Sequence, residues 1–119
     1  MARVILLSLV FVLQLTTFAA PADVAQTEID HLLSTVQNSK ARFMRNGDEH
    51  SGKDAAGHMK KKYNHFKKEI KTAEDFIEKC AAKSELSRKA YKIKEPDGTV
   101  VDSKEWFLAR LADYRKQPR

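Results

Sequence analysis

The chain has one cysteine, Cys80, so no internal disulfide can form and packing alone must hold the fold together. It has no apolar run long enough to cross a bilayer, which needs roughly 20 such residues. The richest stretch, Val4 to Leu13, stops at Gln14. Glycine-rich phosphate loops, nucleophile elbows and paired cysteine or histidine zinc spacings are also missing. No motif therefore specifies phosphoryl transfer, ester hydrolysis or structural zinc by itself.

What is present begins with a leader. Arg3 and the amino terminus form a positive start, Val4 to Leu13 an apolar middle, and Ala20-Pro21-Ala22 a small-residue exit. These features predict a signal peptide over 1–22, cleaved after Ala22. A cut after Ala20 would leave Pro21 at the next position. No cysteine lies near the cut, which argues against a lipid-anchored product. The mature chain, 23–119, then has 97 of the 119 residues, enough for a single small domain. Losing Arg3 lowers the formal charge from +6 to +5. An exported, periplasmic domain with no transmembrane segment after cleavage is expected.

The mature chain predicts an α+β fold, mostly α, with about four helices and one small C-terminal β-hairpin. Thr27 and Asp30 stand in capping register before Ile29, Leu32, Leu33, Val36 and Phe43, whose spacings are helical. Asn46-Gly47 supplies the stop for this helix. Ser51 or Asp54 caps a second, with Ala56, Met59, Tyr63, Phe66 and Ile70 on its apolar face; Gly57 there suggests a close approach of another backbone. Thr72 and Asp75 open a third, from Ala73 to about Lys83, turning Phe76, Ile77 and Cys80 inward. A buried thiol of this kind is expected to be inert. Ser84 to Lys89 reads as loop. Tyr91 and Ile93 alternate with lysines before the turn residues Pro96, Asp97 and Gly98. That hairpin should lay Tyr91, Ile93 and Val100 on the helices. Asp102 and Glu105 are in capping register for a last helix carrying Trp106, Phe107, Leu111 and Tyr114.

With these elements placed, the chain resembles the YfeK-like family of small exported bacterial proteins of unknown function. The likeness rests on F-M-R-N-G-D-E-H at Phe43 to His50, A-x-x-H-M-x-x-K at Ala55 to Lys62 and T-A-E-D-F-I at Thr72 to Ile77. It continues through S-x-x-S-x-x-x-Y-x-I from Ser84 to Ile93 and W-F-L at Trp106 to Leu108. The family pattern favours glycine after the second serine, where this chain has Arg88. The resemblance implies a Gram-negative envelope location and brings no activity with it.

Phe43 to Tyr63 carries the densest group of chemically capable side chains. Arg45, Asn46 and His50 lie in its turn, and His58 and Lys62 stand one helical turn apart in the segment that follows. These five residues form the candidate site: cations from Arg45 and Lys62, an amide from Asn46, imidazoles from His50 and His58. Such a set suits a small anionic or carbonyl-bearing ligand, or an envelope component. A metal is disfavoured, because His58 and His65 would be roughly 10 Å apart along a helix. Nucleic acid is disfavoured too, since Lys60, Lys61, Lys62, Lys67, Lys68 and Lys71 are mixed with Glu69, Glu74 and Glu78 and export removes the usual partner. No cofactor is expected and no catalytic residue is assigned. Ser51, Ser84 and Ser87 lack the framing of a nucleophile and should cap or turn. The readings rank as binding or interaction module, then structural envelope protein, then a small hydrolase or metal-binding protein.

Overall fold

The structure, a computed structural model, describes residues 21–118. The expected leader falls almost wholly outside them; its last two residues, Pro21 and Ala22, open the first helix. The element order is α1 (Pro21–Gln37), β1 (Arg42–Arg45), β2 (Asp48–His50), α2 (Gly52–Phe66), α3 (Ala73–Phe76), β3 (Lys92–Lys94), β4 (Val100–Asp102) and α4 (Ser103–Lys116). A single 3₁₀ turn, Lys67–Glu69, follows α2, and α3 runs on as a π-helical segment, Ile77–Ala81.

The fold class holds in outline, but the strands are not confined to one C-terminal hairpin. They form a four-stranded antiparallel sheet in the order β2-β1-β3-β4, so two hairpins are joined through β1 and β3. The first of these falls where the spacing predicts a helix. Helix α1 starts before Thr27, whose hydroxyl donates to the Asp23 carbonyl oxygen from inside the helix, and it ends at Gln37. Phe43 therefore sits in a strand. Asn46 and Gly47 have φ of 51° and 85°, the consecutive positive values of a two-residue hairpin turn whose twist matches the flanking strands. The same dipeptide that can end a helix here reverses a ribbon.

The register explains which side chains meet the helices. His50 pairs with Phe43, Phe43 with Ile93, and Ile93 with Val101, so these four share one face; Arg45 lies two residues along β1 on that same face. Phe43 and Ile93 are buried, and Phe43 meets Trp106 edge to face at 5.9 Å between ring centroids. The other face carries ion pairs: Arg42 and Lys94 with Glu49, and Lys92 with Asp102. Val100 lies on that outer side and is 51% exposed, contrary to its expected place in the core. Asp102 takes the N-cap position of α4 without a side-chain capping bond. Its carboxylate is engaged by Lys92 instead.

The core sits between this sheet face and the helices. Ile29, Leu32 and Val36 of α1, Ala56 and Met59 of α2, Phe76, Ile77 and Cys80, and Phe107 and Leu111 of α4 are all buried in one cluster. Thr72 and Asp75 form the expected capping box. Burial pushes the Cys80 thiol up to about 12, as suits an inert packed group. Across the helical layer, buried Glu28 of α1 accepts two hydrogen bonds from Arg115 of α4, at 2.7 and 3.0 Å.

The close backbone approach belongs to Gly52, not Gly57. A β-carbon on Gly52 would stand 2.2 Å from the Val36 carbonyl oxygen, whereas one on Gly57 would meet nothing within 4 Å. Helix α2 thus starts against the end of α1, with Ser51 as its N-cap. That contact sets where His58 and Lys62 fall relative to the sheet.

Candidate functional site

All five predicted site residues come together where α2 crosses the sheet, but they divide between two adjoining spaces. The inner one is a cavity of about 50 Å³ between α2 and the inward sheet face, lined by Arg45, His50, Tyr91 and Ser103 from the sheet side and by Ala55, His58 and Met59 from the helix, with Phe43 at its back. The outer one is a broad cleft of about 740 Å³ holding Arg45, Asn46, His58, Lys61 and Lys62, with Ser84, Glu85 and Leu86 on the far wall. Arg45, His58 and Tyr91 line both.

Two of the five are committed to internal bonds. The Asn46 amide donates to Ser84 Oγ at 3.5 Å, and its oxygen accepts from Ser87 Oγ at 2.7 Å. Both serines of the S-x-x-S pattern thus clasp the hairpin turn, and Ser84 Oγ also accepts from the Ser87 backbone N–H. Lys62 is buried; its Nζ donates to the Lys83 carbonyl oxygen at 3.0 Å, lies 3.9 Å from Glu85 and stands over the Tyr91 ring. Burial lowers the Lys62 pKa, and Glu85 works against that shift. Arg45 and the imidazoles remain as groups that face open space.

The inner cavity has an unusual polar content. Among the described residues, the buried side-chain nitrogen and oxygen atoms without a hydrogen-bond partner are His50 Nε2, His58 Nε2 and Ser103 Oγ, and all three residues line this cavity. Buried polar groups are normally paired, and leaving one unpaired costs about 1–3 kcal/mol. His58 is pushed down to about 4, first by burial and then by the positive charges of Arg45 and Lys62, so it is a neutral imidazole at physiological pH. Its ring packs edge to face on Tyr91 at 6.5 Å. A neutral imidazole can donate one N–H, a serine hydroxyl can donate one O–H, and Arg45 adds a fixed charge. Together they can hold an acceptor oxygen. No group of three histidine, cysteine or acidic side chains among the described residues is placed to hold a metal ion.

Sequence spacing does not bring Ser103 or Tyr91 to this cavity. A signal for Ser103 exists all the same: it continues the inward alternation of Val101, and its backbone N–H donates to the Tyr91 carbonyl oxygen at 2.9 Å. The serines considered as nucleophiles are otherwise engaged, Ser51 at the start of α2 and Ser84 and Ser87 around Asn46. Ser103 Oγ makes no bond to either imidazole, so no serine–histidine pair is assembled among the described residues.

A mostly helical α+β arrangement with α2 laid against a four-stranded antiparallel sheet, and a polar cavity at their junction, is the class that this geometry defines. The chain belongs to a family of unknown function, DUF5329, whose model matches residues 23–115. A similar protein is the "Uncharacterized protein YfeK" of Salmonella typhimurium, 34% identical over 67 residues. That stretch covers 56% of this chain and 56% of the relative, so the chain spans little more than half of the curated protein it matches. No solved structure matches it.

Proposed function

We propose that this chain is an exported, periplasmic, non-enzymatic binding module that takes a small anionic or carbonyl-bearing ligand at the junction of α2 and the sheet. The observation that carries the reading is the convergence of three unpartnered buried polar atoms, on His50, His58 and Ser103, upon one cavity beside Arg45. A polar ligand atom there would satisfy groups that the fold leaves without a partner. Export is supported by the leader features at the amino terminus and by a family match that begins at residue 23, the expected first mature residue.

The experiment is to express the full chain in a Gram-negative host, purify it from the envelope fraction, and analyse released small molecules by mass spectrometry alongside Arg45→Ala and His58→Ala. Both variants should lose the bound material while keeping their unfolding free energy within about 1 kcal/mol of the parent, because site residues add little stability. N-terminal sequencing of the same sample should begin at Asp23. A second reading, an envelope protein with no ligand, is favoured by the bonds of Asn46 to Ser84 and Ser87 and of Lys62 to Lys83. It predicts a loss of about 1–3 kcal/mol in Asn46→Ala and Lys62→Met, with nothing released from the parent protein.

A further inference from the structure

The two adjoining spaces differ in chemistry. The inner cavity, about 50 Å³, is backed by the apolar Phe43, Ala55 and Met59, presents the unpartnered His50 Nε2, His58 Nε2 and Ser103 Oγ, and is bordered by Arg45, Lys92 and the Asp54 carboxylate. An apolar cavity of about 150 Å³ holds benzene, so this one has room for a group of two or three heavy atoms and none for a ring. The outer cleft carries the cations of Arg45, Lys61 and Lys62, of which Lys62 is engaged by the Lys83 carbonyl oxygen and lies near Glu85 on the far wall, so Arg45 and Lys61 are the cations left for a ligand. A carboxylate placed wholly inside would be stripped of water against apolar walls, whereas one in the cleft keeps both solvent and cations.

Resting on the binding reading above, we infer that the site recognises an acetamido group carried on a small carboxylic acid. The acetyl methyl packs in the inner cavity against Met59 and Ala55. Its carbonyl oxygen accepts from the His50, His58 and Ser103 donors, and the carboxylate lies outside against Arg45 and Lys61. Arg45, which borders both spaces, fixes the distance between the two ends of the ligand.

Ligand-observed NMR titration of the protein as purified from the envelope, dialysed free of small molecules, tests this with N-acetylglycine, glycine, acetate, N-benzoylglycine and inorganic phosphate. N-acetylglycine should bind at least fivefold more tightly than each of the others, with the strongest saturation transfer at its acetyl methyl. Ala55→Leu, which fills the inner cavity, should bring N-acetylglycine down to the level of glycine. Should that variant fail to fold, Ser103→Ala should weaken N-acetylglycine at least fivefold and leave glycine unchanged. Equal binding of N-acetylglycine, N-benzoylglycine and glycine, all lost in Arg45→Ala, would overturn the acetamido assignment and leave an anion site standing. No binding of any probe would overturn this assignment, and the binding reading itself would fall only if nothing is released from the envelope-purified protein either.

Discussion

The ammonium of Lys62, on the third turn of α2, donates to the main-chain oxygen of Lys83 at 3.0 Å and so ties the helix to the start of the loop that clasps the Asn46 turn. The bond matters because the side chain that reaches this carbonyl is itself buried, so little solvent stands ready to replace it. Replacing Lys62 by methionine keeps the aliphatic stem and removes the donor. Urea denaturation of Lys62→Met should show a loss of about 1–3 kcal/mol, the usual cost of stranding a buried acceptor. A change below about 0.5 kcal/mol would mean that solvent satisfies the carbonyl and that the loop is not tied through this bond.

Gly52 and Gly57 make a paired test of the α1–α2 contact. Gly52→Ala sets a methyl against the Val36 carbonyl oxygen, with no flexible side chain to move aside, and should cost several times the ordinary glycine-to-alanine difference. Gly57→Ala meets open space in a helix interior and should stabilise by up to about 1 kcal/mol. Thermal melts of the two variants should therefore shift in opposite directions, and equal shifts would show that the two helices do not approach as described.

The lowered His58 pKa has a pH consequence whose sign follows from linkage. The folded chain holds His58 neutral down to about 4, while the unfolded chain protonates it near 6.5, so the unfolded state binds more protons between those values. Stability is then level above about pH 6.5, falls as pH drops toward 4, and gains no further slope from this residue below that. Each pH unit between the two values is worth about 1.4 kcal/mol, and partial exposure of the ring reduces the total to about 1–2 kcal/mol. Comparing urea midpoints of the parent and His58→Gln at about pH 7.5 and about pH 4.5, on either side of most of that window, should show the larger drop in the parent. An equal drop in both would show that the imidazole is not held neutral by the fold.

Arg88 has φ of 58°, a left-handed value that costs a non-glycine residue about 1–2 kcal/mol. Arg88→Val should destabilise by about 1–2 kcal/mol and Arg88→Gly should be neutral or mildly stabilising, because glycine relieves the strain but frees the unfolded chain. Chemical denaturation that ranks valine above glycine would contradict the loop conformation.

Much of this is legible in the residues, and the misses share one cause. The Thr72–Asp75 capping box, the inward Phe76, Ile77 and Cys80, and the C-terminal hairpin follow from local chemistry that tertiary contacts leave intact. Arg42 to His50 misleads because Val36 and Phe43 fit a helical repeat, and because Asn-Gly ends helices and turns hairpins equally well. The pairing of β1 with β3, far along the chain, decides between those outcomes, and no local pattern encodes it. The candidate site shows the same split. Helical spacing places His58 and Lys62, and proximity in sequence places His50, but Ser103 and Tyr91 join them only once the sheet is assembled.

The most direct test of a ligand site at this junction is a crystal structure of the protein purified from the envelope, at a resolution fine enough to tell a small ligand from ordered water. It should show density other than water in the cavity between α2 and the sheet, with an acceptor atom within hydrogen-bonding distance of His50 Nε2, His58 Nε2 and Ser103 Oγ. Density explained wholly by ordered water bridging those three atoms, or imidazoles turned to bond to neighbouring protein groups, would contradict a ligand site and leave the cluster a structural one.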